Sequence, residues 1–271
     1  MFTTGIEGPA CDAMGNLYAV NFSTKHTIGK VTPDGEGSLF LQLPEGATGN
    51  AIRFSRSGTM YIADYTGHRI LKADMTTKEV SVFVHEPAMN QPNDLAVTWK
   101  ETWFASDPNW KQGDGQLWRI DRNGRCVLLE AGMGTTNGIE VSSDERTLYV
   151  NETVQRRIWK YDLSERDEIS NKRLFYEFAD YGLDGMRCDM TGNLYVTRYG
   201  KGTIAVLSPD GLLVREVALT GKLCTNVTFG GADGCTCYVT VADTGAIESF
   251  RTDIPGRCWA LWKQDNGNKI K

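Results

Sequence analysis

The stretch LDGMRCDMTGNLYVTRY (Leu183–Tyr199) carries the pattern that decides the fold. A small or polar turn leads into an alternating strand, Gly192 marks a second turn, and an aromatic and aliphatic strand follows. Five other segments have this pattern: EGPACDAMGNLYAVNF from Glu7, GNAIRFSRSGTMYIADY from Gly49, PNDLAVTWKETWFASDP from Pro92, TNGIEVSSDERTLYVNET from Thr136 and CTNVTFGGADGCTCYVTVAD from Cys224. The chain is therefore built from six similar units.

One polar residue opens each unit, and we call these six residues the anchors. They are Glu7, Asn50, Asn93, Asn137, Asp184 and Asn226, at intervals of 43, 43, 44, 47 and 42 residues. About four strands in a repeat of roughly 45 residues are typical of propeller blades. The sequence predicts an all-β six-bladed β-propeller with four antiparallel strands per blade, which occupies residues 1–271 as a single domain. A sandwich or a barrel is the alternative, but neither repeats at this period.

The strands of individual repeats can be placed from their alternation. In the third repeat we predict strands at 94–98, 102–105, 115–121 and 126–130. The last repeat is expected to hold all four of its strands, the fourth at 259–263. The polar stretch 164–171 is interpreted as an inserted loop that explains the interval of 47 residues, and residues 1–5 are expected to help close the ring.

Composition and charge exclude several classes of function. Of 271 residues, 41% are hydrophobic and 23% charged, as in ordinary globular proteins, and the net charge of −5 is unsuited to binding nucleic acid. No apolar run approaches the ~20 residues that span a bilayer. The N-terminus lacks the features of a signal peptide, and the seven cysteines are scattered without a CxxC pair, so a cytoplasmic location is expected. The oligomeric state is left open.

The anchors predict a binding site, because the loop before the innermost strand of every blade lies at one mouth of the central channel. All six side chains are carboxylates or carboxamides, whose oxygens suit a hard divalent cation with positions left for water and substrate. Asn and Asp are also common in turns for local reasons. That explanation stays open for Asn50 and Asn226 and is weaker for Glu7, since Glu is a poor turn residue.

Other catalytic chemistries lack their motifs, since the chain has no GxSxG, HExxH, P-loop or CxxC sequence. His26, His68 and His85 are expected on the surface, with His85 alone near enough to reach the anchors. Asp107 and Trp110 follow the second strand of the third repeat. They could form the wall of a substrate pocket, or Asp107 could belong to an ordinary Asp-Pro turn.

The repeats also resemble a known family. QPNDLAVTWKETWFASDP, TNGIEVSSDERTLYVNET, LDGMRCDMTGNLYVTRYG and TNVTFGGADGCTCYVT are similar to sequences of the senescence-marker-protein, gluconolactonase and luciferin-regenerating-enzyme family. The resemblance covers nearly the whole chain. It implies a six-bladed propeller with one divalent cation in the channel, and many members hydrolyse sugar lactones. Diisopropyl fluorophosphatases and, more distantly, paraoxonases are related to them.

The resemblance also implies roles for particular positions. The metal ligands of the family fall on Glu7, Asn137 and Asp184, and Asn93 takes the place of a residue that binds metal in some members and substrate or water in others. Candidate contacts to substrate are Asn50, Gln91, Asn93, Asp107 and Trp110. Gln91 stands where animal sugar lactonases have a substrate-binding Arg, which leaves the sugar open. Asn50 stands where paraoxonases have a catalytic His, which argues against their mechanism.

The resulting hypothesis is a metal-dependent lactonase, a hydrolase of carboxylic esters that resembles gluconolactonases. Its partner is a small lactone, and its cofactor is one divalent ion, Ca²⁺ before Zn²⁺, Mn²⁺, Mg²⁺ or Fe²⁺. Asp184 is the candidate base that activates water, with a base acting through a shuttled water as an alternative. Two other classes stay open. One is a different hydrolase on the same site, such as a phosphotriesterase or a hydrolase of non-sugar lactones, and the other is a non-catalytic binding propeller.

Overall fold

The computed structural model describes residues 1–263, which form six small antiparallel sheets. The first three sheets are β1 (Phe2–Cys11), β2 (Leu17–Phe22), β3 (Thr27–Val31) and β4 (Gly37–Gln42); β5 (Gly49–Phe54), β6 (Met60–Asp64), β7 (Arg69–Ala73) and β8 (Val80–His85); and β9 (Leu95–Val97), β10 (Trp103–Asn109), β11 (Asp114–Ile120) and β12 (Cys126–Met133). The other three are β13 (Thr136–Val141), β14 (Thr147–Glu152), β15 (Arg157–Leu163) and β16 (Ile169–Glu177); β17 (Met186–Cys188), β18 (Leu194–Arg198), β19 (Thr203–Leu207) and β20 (Leu213–Ala218); and β21 (Cys224–Gly230), β22 (Thr236–Val241) and β23 (Ala246–Arg251). A short helix, α1 (Arg257–Lys263), follows.

The first strands of the six sheets form a closed ring. Each of them contacts the next, in the order β1, β5, β9, β13, β17 and β21, and β21 contacts β1 again. Within each sheet the strands follow in sequence order from the ring outwards, with antiparallel pairing throughout. The sheets are thus the blades of a six-bladed β-propeller around a central channel, and the predicted fold class is confirmed.

The hydrophobic core lies between neighbouring blades, so that the inner strands are buried on both faces. Aromatic rings span several of these interfaces: Tyr18 and Phe54 with ring centroids 5.5 Å apart, Tyr61 and Trp103 at 4.1 Å, and Tyr195 and Phe229 at 5.0 Å. Such pairs contribute about 0.5–1.5 kcal/mol each beyond their burial. Aromatic residues that recur in the repeats therefore join the first blade to the second, the second to the third and the fifth to the sixth.

The ring closes between the first and last blades. The Thr225 hydroxyl donates to the carbonyl of Ile6 at 3.0 Å, and Gly245, in the turn after β22, packs against the backbone of Phe2 and Thr3. Residues 1–5 therefore lie against the sixth blade, as expected of a segment that closes the ring. No helix in residues 1–263 is long and apolar enough to cross a membrane.

Most predicted strands of the repeats are confirmed, but the structure differs from the prediction at 106–109, at 164–171 and, in the last blade, at 259–263. Residues 106–109, which were expected to follow the second strand of the third repeat, extend β10. Pro108 is tolerated there because β9 pairs only with 103–105 and needs no donor from it. The loop predicted at 164–171 is shorter in the structure: it covers residues 164–168, and β16 begins at Ile169. The extra length of the fourth repeat lies largely in β15 and β16, which have seven and nine residues.

The predicted fourth strand of the last blade is wrong. In the described residues the sixth sheet has three strands, and 259–263 belong to α1. The chain leaves the sheet after β23 because Gly256 packs closely on Phe229 and the buried Arg257 donates to the carbonyl of Val97 at 3.0 Å. The contact between Arg257 and Val97 places α1 over the end of the channel, and not along the outer edge of the sixth blade.

Three anchors are followed by a glycine, and the geometry of the ring explains this. A Cβ on Gly8 would overlap the carbonyl of Asn50, a Cβ on Gly138 the carbonyl of Asp184, and a Cβ on Gly185 the side chain of Asn226. Each of these atoms belongs to the neighbouring blade, in its innermost strand or just before it. The absent side chain therefore allows adjacent blades to approach closely enough to bring their anchors together.

We expect Gly138→Ala to lower the free energy of unfolding by about 2 kcal/mol or more, because the new methyl group would meet backbone that cannot move freely. At this chain length that corresponds to a fall in Tm of about 4–8 °C. Gly37→Ala is the matched control, since its Cβ would make only an ordinary contact with Phe22 and should change Tm little. Equal Tm values for the two variants in thermal unfolding would contradict this account of the ring.

Candidate metal site in the central channel

A cavity of about 410 Å³ opens where the innermost strands begin. Glu7, Asn50 and Asn137 line it from β1, β5 and β13, and Asn93 and Asp184 line it from positions just before β9 and β17. Five of the six anchors are thus brought together at one mouth of the channel.

The sixth anchor, Asn226, lies deeper in the channel and is fully buried. Its amide nitrogen faces a carboxylate oxygen of Asp94 at 3.5 Å, and its own oxygen accepts the backbone N–H of Val227 at 2.9 Å. Asn226 therefore forms part of the floor beneath the cavity, together with Asp94. Asp94 directly follows the anchor Asn93, but the repeat pattern does not mark it as a channel residue.

Two carboxyl groups at this mouth have strongly raised pKa values. Burial, and then the charge of Asp94, raises the pKa of Glu7 to about 8, against the hydrogen bond from the backbone N–H of Gly8. Burial, and then the charges of Glu7 and Asp94, raises the pKa of Asp184 well above its ordinary value. Ionising both carboxyl groups here is costly unless a positive charge compensates.

Two amide oxygens of the site lack hydrogen-bond donors. The Oδ1 atoms of Asn93 and Asn137 are buried and have no hydrogen-bond partner in the described residues. The nitrogen of Asn137 donates to the Thr153 hydroxyl at 3.0 Å, which fixes the amide and leaves its oxygen free. Buried acceptors without donors are rare in proteins and suit a cation that takes oxygen ligands.

The donor set therefore fits a hard divalent cation held by Glu7, Asn93, Asn137 and Asp184. In residues 1–263 no three His, Cys, Asp or Glu side chains are arranged to hold a metal ion. The amide oxygens of Asn93 and Asn137 would supply part of the shell of an ion bound here. Four side-chain oxygens leave positions for water or substrate, since Ca²⁺ takes about 6–8 oxygen ligands.

Aromatic side chains form part of the wall above this site. Trp110, which the sequence suggested, lines the cavity together with Tyr65 and Tyr199, which the sequence analysis missed. Their position in the repeat could have identified them. In blades 2 to 6, the residue directly after the second strand always lines the cavity: Tyr65, Trp110, Thr153, Tyr199 and Ala242.

Two residues that we expected to contact substrate lie behind the wall. Gln91 is not among the lining residues, and its side-chain oxygen accepts the backbone N–H of Trp110 at 3.4 Å. Asp107 is fully buried and accepts from the backbone N–H groups of Asn90 at 2.8 Å and Gln91 at 2.6 Å, and from the indole of Trp118 at 3.0 Å. Asp107 thus fastens the loop that leads to Asn93, and Gln91 supports Trp110.

The three histidines do not line the cavity. His26 bonds the carbonyl of Ala47 and His68 that of Met89, so each ties its turn to the loop that leads into the following blade. His85 is exposed at the end of β8, and its suggested reach to the anchors is not seen.

Comparison with known proteins relates the chain to lactonases. The family model for the SMP-30/Gluconolactonase/LRE-like region matches residues 6–243. A gluconolactonase of Zymomonas mobilis is 28% identical over 272 residues, covering 87% of this chain and 76% of that protein. A 6-deoxy-6-sulfogluconolactonase of Pseudomonas putida is 28% identical over 58% of this chain and 60% of that protein. The crystal structure of a calcium-binding protein, regucalcin, from Agrobacterium tumefaciens shares the fold, with a TM-score of 0.79, 22% identity and coverage of 89% of this chain and 83% of that one.

Calorimetric titration with Ca²⁺ tests the site. We expect one ion per chain and a loss of affinity of at least about tenfold, or about 1.4 kcal/mol, in Glu7→Gln, because one of the two carboxylate ligands is removed. Asn137→Ala should also weaken binding. Glu36→Gln, at an exposed position in a turn of the first blade, is the control and should bind as the unmodified protein does. Undiminished binding in Glu7→Gln would mean that the ion is held elsewhere.

Proposed function

The chain belongs to the SMP-30/Gluconolactonase/LRE-like family, and we propose that it is a divalent-metal-dependent lactonase that opens a cyclic ester in the cavity of its central channel. The observation that carries the proposal is the convergence of Glu7, Asp184 and two amide oxygens without donors at the floor of a cavity with aromatic walls. A propeller that served only as a scaffold would have no need to bury such a set of acceptors, since burying unpaired polar groups costs stability.

Calcium is the ion that we propose for the site. Glu7, Asn93, Asn137 and Asp184 offer oxygen alone, which suits hard cations, and a regucalcin of the same fold is described as a calcium-binding protein. When bound, a dication supplies Lewis-acid polarisation of the lactone carbonyl, worth several kcal/mol in such sites.

Asp184 is the residue that we propose as the base. Of the residues that line the cavity, only Glu7 and Asp184 carry carboxylates, and an oxygen of Glu7 already accepts the N–H of Gly8. In the hydrolysis, a water oxygen bonds to the carbonyl carbon while its proton passes to the Asp184 carboxylate. As the carbonyl re-forms, the bond from that carbon to the ring oxygen breaks, and the ring oxygen takes the proton from Asp184 to become the hydroxyl group of the open-chain acid, which leaves Asp184 ionised again.

The walls of the cavity favour a small, uncharged substrate. About 410 Å³ lies within the usual range for small-molecule sites. Tyr65, Trp110 and Tyr199 offer flat apolar faces against which the C–H groups of a lactone ring can pack. None of the lining residues is Lys, Arg or His, and Lys201, close to Tyr199 in sequence, is paired with Glu216 at 2.6 Å. An anionic group on the substrate would therefore find no partner among these side chains.

Asp184→Asn tests the proposed mechanism. The variant should lose at least about 100-fold in kcat/KM for glucono-1,5-lactone, in the range expected when a general base is removed, and should bind Ca²⁺ more weakly. Asp210→Asn, in an exposed turn of the same blade, is the control and should retain full activity. Full lactonase activity in Asp184→Asn would sink the mechanism. Turnover of an organophosphate but of no lactone would replace the lactonase with a phosphotriesterase.

A matched pair of substrates tests the inference from charge. We expect kcat/KM for glucono-1,5-lactone to exceed that for its 6-phosphate by at least about tenfold, because the buried wall offers the phosphate no cation. Initial rates at a saturating and fixed concentration of Ca²⁺ measure the ratio. Equal values for the two lactones would show that a basic group reaches the substrate.

A further inference from the structure

A second, smaller cavity lies at the other end of the innermost strands. It has a volume of about 30 Å³ and is lined by the final residues of β1, β5 and β9, with α1 closing it. Its charged lining consists of Arg53, Glu140, Arg187 and Arg257. We call it the arginine cavity.

The repeat explains why these charges meet on the axis. Arg53, Glu140 and Arg187 each lie three residues after the anchor of their blade, so they form a second layer below the anchors. Ala10 and Ala96 occupy the same position in the first and third blades and leave space. Arg257 enters from α1, and its side chain is 1% exposed.

The guanidinium groups of Arg53, Arg187 and Arg257 have more N–H donors than there are acceptors around them. Arg53 and Arg187 share the carboxylate of Asp94, and each donates to one backbone carbonyl. The Nε of Arg187 lies 3.7 Å from Glu140. Arg257 reaches Glu140 at 3.4 Å, the carbonyl of Val97 and Glu145.

Against about fifteen N–H groups, these partners supply three carboxylates and three carbonyls. The Nε atoms of Arg53 and Arg257 are buried without any acceptor in the described residues, and both side chains are more than nine-tenths buried. Buried donors of this kind require a partner that accepts hydrogen bonds.

The charges around the arginine cavity also favour a bound anion. Three arginines face Asp94 and Glu140 in the channel, while Glu145 is partly exposed. Burial raises the pKa of Glu140 to about 7, although Arg257 and Arg53 oppose the shift, so its carboxyl group carries less than a full negative charge near neutral pH. Three guanidinium groups thus face three carboxyl groups, and because Glu140 is partly protonated, positive charge exceeds negative charge around the arginine cavity.

We propose that the arginine cavity binds one chloride-sized anion in contact with Arg53, Arg187 and Arg257. The cavity has room for a ligand about the size of one water molecule, which favours a halide ion over larger anions such as phosphate, sulfate and carboxylates. The bound anion accepts from the unpartnered guanidinium N–H groups and holds α1, through Arg257, over the end of the channel. The site is separate from the cavity at the mouth and does not depend on the proposed lactonase activity.

The first test is a crystal structure of the protein grown in sodium bromide, with data collected at the bromine absorption edge. An anomalous peak in the arginine cavity within hydrogen-bond distance of the Nε atoms of Arg53 and Arg257 is expected. Density without an anomalous signal at that position would mean that the cavity holds water and would overturn the proposal.

The second test is thermal unfolding in sodium chloride and in sodium methanesulfonate at equal ionic strength and fixed Ca²⁺. Methanesulfonate is too large for the cavity, so chloride should raise Tm by about 2–4 °C more if it binds only the folded chain. Arg257→Gln should lose this difference, and Arg251→Gln, at an exposed ion pair, should keep it. The proposal fails if the unmodified protein shows no difference or if Arg257→Gln retains it. If Arg257→Gln does not fold, the bromide structure still decides.

Discussion

The mutual repulsion of two buried carboxyl groups, Glu7 and Asp184, is the constraint on which the channel depends. Burial and the charge of Asp94 below them raise the pKa of Glu7, and burial with the charges of Glu7 and Asp94 raises the pKa of Asp184. The ring of inner strands nevertheless brings them together, because Gly8 and Gly185 remove the side chains that would hold neighbouring blades apart. A positive charge held at this point of the axis would offset that cost.

The channel is electrostatically layered along its axis. Within residues 1–263, acceptors predominate at the mouth, where the Oδ1 atoms of Asn93 and Asn137 lack donors, and donors predominate in the next layer, where the Nε atoms of Arg53 and Arg257 lack acceptors. Asp94 lies between the layers and is bound by arginines from below and by Asn226 beside it. The two ends of the channel therefore suit ligands of opposite sign, a cation at the mouth and an anion beneath α1.

The fold and five of the six anchors at the mouth could be predicted from the sequence, because a period repeated six times fixes where each inner strand begins. Tyr65 and Tyr199 occupy the position of Trp110 in other blades, but the sequence did not reveal them as wall residues. The same position holds Thr153 and Ala242 in two further blades, so no single residue type marks it in the repeats. Asp107 was predicted to contact substrate because a sequence does not show which hydrogen-bond donors surround a carboxylate, and in the structure those donors hold it behind the wall. The segment that forms α1 was assigned to a strand, since a short apolar run has no clear period.

The central claim is that Glu7, Asn93, Asn137 and Asp184 together hold a divalent cation. A crystal structure of the protein grown with Mn²⁺, with anomalous data collected at the manganese edge, tests it most directly. The account predicts one peak in the cavity at the channel mouth, about 2.0–2.6 Å from an oxygen of each of these four side chains. A peak bound by other residues, or a cavity without a peak at saturating Mn²⁺, would contradict it.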